Sequence, residues 1–179
     1  MSGFVNYGKR SVQLPAGCKD LIDVLQGRPA AKSGAGVAAF GTKITRDSQA
    51  TISVIDLLGP ITDLLKSKAW SRALTVSSCD YALTVTVSVS ADELLVCFCA
   101  REPAHAEAVL KFLSRHGLDV RNQQEGPHPF TTGRAIYSVN RPPSEPSALS
   151  NLIELLFRDV CVLNADSEVI VRQIEVEVV

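Results

Sequence analysis

The chain has 179 residues, of which 46% are hydrophobic and 21% charged, and its net charge is −1. That balance excludes a disordered chain, and the near-zero charge excludes a global field that would gather nucleic acid or an anionic membrane. Aromatic residues, at 6%, leave little for base stacking or an aromatic-lined cofactor slot.

The N-terminal MSGFVNYGKRS has no apolar core of a signal peptide, and Lys9 to Leu14 suits a short extended piece. Pro15 and Gly17 then mark a turn. Cys18, Leu21, Ile22 and Leu25 follow at i, i+3, i+4 and i+7, one face of a short helix that Gly27 and Pro29 end. Residues 27–43, GRPAAKSGAGVAAFGTK, show no period and read as a Gly/Ala-rich linker. The expected organisation is an arm over 1–26, the linker over 27–43 and a body over 44–179.

Residues 44–69 hold a second helical pattern, carried by Val54, Leu57, Leu58, Ile61, Leu64 and Leu65. Gly59-Pro60 interrupts it, so Pro60 either kinks the helix or opens a second one. RALTV (72–76) is a candidate strand. YALTVTVSV (81–89) alternates cleanly, with Leu83, Val85, Val87 and Val89 on one side and Thr84, Thr86 and Ser88 on the other. ELLVCFCA (93–100) is apolar on both sides, as for a central strand, and forms a hairpin with its predecessor.

Glu102-Pro103 starts a helix that Gly117 closes near His116. Leu118 to Asn122 and Arg134 to Asn140 are strand candidates, separated by the loop chemistry of QQEGPHPFTTG. A helix near 145–160 presents Leu149, Leu152, Ile153, Leu156 and Val160. Val169 to Val178 alternates as a last strand, with Arg172 standing unexplained on its apolar side.

The predicted fold is α+β: a mainly antiparallel sheet with helices packed on it, ordered α-β-β(-β)-α-β-β-α-β after the arm helix. That order resembles, at the level of topology, small secretion-chaperone-like folds, which are dimeric peptide-binding modules. The resemblance implies a dimer that binds peptides.

Five cysteines, Cys18, Cys79, Cys97, Cys99 and Cys161, are an odd number, several in apolar runs. They read as reduced thiols, and the expected location is the cytoplasm. Cys18 at a helix N-terminus would be activated by the dipole and could use His128, in the loop GPHPF, as a base. Against that, Cys18 shares the stripe of Leu21, Ile22 and Leu25, where it behaves as a small apolar side chain. Cys97 and Cys99 lie on one side of a strand and could share a metal, but no second ligand pair stands at the right spacing. The glycines of SGAGVAAFG (33–41) fit neither a dinucleotide fingerprint nor a Walker loop.

The reading these residues favour is a non-enzymatic interaction module, chaperone- or adaptor-like and homo-oligomeric. Its arm would dock through Leu21, Ile22 and Leu25 on its own body or on another protein or peptide. No cofactor, nucleic acid or membrane is expected. The alternatives are a small cysteine enzyme using Cys18 and a histidine, or a small-ligand sensor.

Overall fold

The computed structural model describes residues 4–7, 10–13, 42–90, 93–125 and 135–178. Strands β1 (Phe4–Tyr7) and β2 (Arg10–Gln13) pair antiparallel in a two-stranded sheet. The expected arm helix, with Cys18, Leu21, Ile22 and Leu25, lies outside the described residues, as does the linker up to Gly41.

Strand β3 (Thr42–Ser53) corrects the helical pattern expected from residue 44: the helical run begins only at Val54. The physical reason is exposure. Lys43 to Thr51 are exposed in succession, so TKITRDSQATIS carries no apolar period of either kind. Val54–Leu57 is one 3-10 turn leading into α1 (Leu58–Lys66). Pro60 is the third residue of α1, where a missing N–H costs no helical bond. Val54, Leu57, Ile61 and Leu64 are all fully buried.

Three antiparallel strands follow: β4 (Ser71–Ser78), β5 (Leu83–Ser90) and β6 (Glu93–Ala100). In β5 buried and half-buried residues alternate, as LTVTVSVS predicts. Helix α2 (Pro103–Arg115) has Pro103 at its first position. It ends on Gly117, whose φ of +67° lets Gly117 N–H reach Ser114 O (3.1 Å) and Leu118 N–H reach Leu113 O (2.9 Å). This reciprocal pair of bonds satisfies two carbonyls that the helix end leaves open. Strands β7 (Val120–Glu125) and β8 (Ala135–Val139), helix α3 (Pro146–Cys161) and strand β9 (Glu168–Val178) complete the order.

β3 to β9 form a seven-stranded antiparallel sheet in the order β3-β9-β4-β5-β6-β8-β7. Of the three helices of the described residues, α3 packs against both α1 and α2, and all three lie on one face of the sheet. Leu74, Val76, Leu83, Val85, Val87, Val96 and Phe98 of that face meet Val109, Phe112, Leu113, Leu149, Ile153 and Leu156 in one buried core. The chain is thus α+β with a layer of helices on an antiparallel sheet. Arg72 joins the layers: its Nε donates to Leu64 O (2.7 Å) and its Nη1 to Ala69 O (2.9 Å), capping the end of α1 from β4.

Candidate functional site

β3 is the most unusual element. It is an edge strand of 12 residues, bonded to β9 on one side and to no described strand on the other. Its side chains are exposed on both faces from Lys43 to Thr51, and only near Ile52 does it reach the core. A strand that buries so little is held mainly by its backbone ladder to β9, whose free side presents N–H and C=O groups in a row. Natural edges are usually blunted by bulges and charges. Here both devices sit at one end: the register shifts between Ile44 and Arg46, and the charges are Lys43, Arg46 and Asp47. From Ser48 to Ser53 the edge is regular and uncharged.

The charged end is tied back to the last strand. Arg172 Nε and Nη2 donate to Asp47 Oδ1 and Oδ2 at 3.0 and 2.9 Å, a bidentate pair. This explains the arginine among the apolar residues of β9: the side of the strand carrying Arg172 faces away from the helices. The Arg172 guanidinium holds the Asp47 carboxyl below the usual carboxylate range, and Asp47 raises Arg172 in turn. On the other face Arg46 Nη1 lies 3.7 Å from Glu175 Oε1, which also accepts a bond from Gln173 Nε2 at 3.0 Å.

The face away from the helices is small and polar across the central strands. One cross-strand row reads Gln49, Arg172, Thr75, Thr86, Cys97, Ser138. The next reads Thr51, Ile170, Ser77, Thr84, Cys99, Ile136. Ser77 and Thr84 hydroxyls are bonded at 3.0 Å. Ala73, Ile174 and Val176 form a small buried cluster farther along the same face. Cys97 and Cys99 are half-buried side by side on β6, on this face and not in the helix-packed core. Among the described residues no three His, Cys, Asp or Glu side chains are placed to share a metal.

A third cluster stands where the β4–β5 turn meets the helices. Asp80 Oδ1 accepts bonds from Ser78 Oγ (2.7 Å) and Ala82 N–H (3.0 Å), which fixes Tyr81 at φ +56° and holds the carboxyl below its usual range. Burial, helped by the Asp80 charge, pushes the Cys161 thiol up to about 12. It is therefore a neutral thiol near pH 7, the reverse of an activated nucleophile. His105 Nδ1 is buried and has no hydrogen-bond partner among the described residues, and Glu102 Oε2 is 3.9 Å away.

Of the residues singled out from sequence, Cys18, Leu21, Ile22, Leu25 and His128 lie outside the described residues. The β3 edge was missed. Its signal was present in the Thr and Ile of TKITRDSQATIS, residues that favour strands even without an apolar period.

No protein-family model, curated protein or solved structure matches this chain. No helix among the described residues is long and apolar enough to cross a membrane.

Proposed function

We propose that this protein is a non-enzymatic interaction module, adaptor- or chaperone-like, that takes up an extended polypeptide along the open side of β3. The observation that supports it is the uncharged edge Ser48–Ser53, exposed on both faces from Ser48 to Thr51 and paired with β9 alone among the described strands. Strand addition uses main-chain hydrogen bonds for affinity and alternate side chains for selection. The Gln49, Thr51 and Ala50 side chains suit uncharged, β-branched partners, which pair well on an exposed strand. The arm stripe Leu21, Ile22 and Leu25 is a second contact in this reading, docked on the body or on the same partner. Its support is helical spacing.

The test is fluorescence anisotropy with labelled extended peptides rich in Thr, Ile and Val. N–H groups of a strand point alternately to its two sides, so one of Ala50→Pro and Thr51→Pro spares the ladder to β9. Saturable binding by the wild type, lost in the proline variant that keeps its fold, supports the proposal. Peptides that bind neither form, or bind the folded proline variant equally, would sink it.

A further inference from the structure

The β3 edge has a pattern that fits one partner in particular. We infer that a second copy of this chain pairs antiparallel with β3 about a two-fold axis beside Gln49, joining two seven-stranded sheets edge to edge. The inference rests on the reading of β3 as the interaction edge and names its occupant.

The register follows from geometry and charge. A two-fold axis perpendicular to a sheet places residues of the same face opposite each other, so paired positions differ by an even number. An axis beside Arg46 or Asp47 would set a like charge against itself, which destabilises a strand pair. Axes nearer the start of β3 run the pairing through the bulge between Ile44 and Arg46. Centred on Gln49, the pairing starts immediately after the bulge and runs from Arg46 to Ile52, within the bulge-free stretch Arg46–Ser53. Arg46 then lies opposite Ile52, Asp47 opposite Thr51, Ser48 opposite Ala50, and Gln49 opposite itself. No charge meets its own kind. Each Gln49 amide also lies diagonal to the Asp47 of the other copy, within reach of a long side chain. Shifting the axis to Ala50 keeps the charges apart but places Ser53 opposite Asp47. Ser53 Oγ is already committed to Ala165 O at 2.8 Å.

The contact is short. Strand pairing over this length falls below the ~1,200 Å² of a standard interface, so the dimer forms as concentration rises and does not persist on dilution. It shares only a backbone edge, and neither helix layer has to open.

Sedimentation velocity of the full chain over a wide concentration range provides the test, with two variants at an exposed position. Gln49→Glu sits beside Arg172 within its own chain, so it leaves the monomer intact while setting two carboxylates opposite each other. Gln49→Lys sets two ammonium groups opposite each other, and an unchanged urea midpoint of its dilute form is the check that the new ammonium beside its own Arg172 has not loosened β3. Each variant alone is expected to weaken the dimer about fivefold at low salt, and mixing the two is expected to restore it. Mild oxidation of Gln49→Cys should yield a disulfide-linked dimer that the wild type does not form. A chain that stays monomeric throughout, or a dimer indifferent to both charge variants, overturns the inference. If that chain still binds extended peptides in the anisotropy experiment, the interaction reading stands and only the identity of the occupant falls. If it binds none, both fall.

Discussion

Single side chains carry two of the protein's pH responses. Asp47 is held below its usual range mainly by its hydrogen bonds to Arg172. A carboxyl lowered in the folded state adds stability above its unfolded value, and that contribution disappears as pH falls through the folded value. The loss therefore begins as pH falls from about 4. Both partners are more than a third exposed, so the pair is worth no more than ~1 kcal/mol. Asp47→Asn should flatten the acid limb of urea-unfolding stability between neutrality and pH 2; acid limbs that superimpose would show the pair to be energetically idle. Cys161 responds at the other end. Its thiol is raised to about 12 by burial and by Asp80. The unfolded chain gives up that proton first, so stability falls as pH rises above the ordinary thiol range toward 12. At pH 8 iodoacetamide should modify the exposed Cys79 well before Cys161, and denaturation should remove the difference. Rapid native modification of Cys161 would contradict its burial.

At the scale of elements, termination differs between the helices. Helix α2 ends on Gly117, which takes its left-handed φ without cost. Helix α3 ends on Val162 at φ +54°, a β-branched residue in the same region and 83% exposed. An L-residue in this conformation costs about 1–2 kcal/mol, and the exposed isopropyl group regains little by packing. Val162→Gly should therefore raise stability by about 1 kcal/mol after allowing for the greater freedom of glycine in the unfolded chain, read as a higher urea midpoint at constant slope. An unchanged or lower midpoint would mean that Val162 is held by something other than its own helix. Two helices of the body were legible in the sequence because their buried faces recur with helical period: Ala106, Val109 and Leu113 in α2, and Leu149, Leu152, Ile153 and Leu156 in α3, are all buried, while Leu110 of the expected α2 face is half-buried and Phe112 takes its place in the core. β3 was not legible as a strand because exposure on both faces removes the alternation that reveals one.

The whole sheet depends on its last strand. β9 lies between β3 and β4, so the first and last strands of the body close the fold by contacts far apart in sequence. Ser53 pairs with Glu168 and Thr42 with Val178. Among the described residues the backbone of β3 is paired on one side, whereas β5 lies between two strands and under helices. In dilute solution, amide hydrogen exchange should be fast across β3 and slowest in β5. Uniform protection across both would remove β3 as an open edge. Protection of β3 that grows with protein concentration is the signature expected of edge pairing.

The sequence by itself determined the fold class, the alternating strands and the amphipathic helices, because each depends on a periodic pattern along the chain. It also placed Cys97 and Cys99 on one side of their strand, since side-chain direction in a strand repeats every two residues. Only the tertiary structure decided which strand closes which edge, that Arg172 on β9 meets Asp47 on β3, and that residues 42–53 form a sheet edge with no described strand beyond it. Those facts are long-range pairings between segments more than a hundred residues apart, and no local period encodes them.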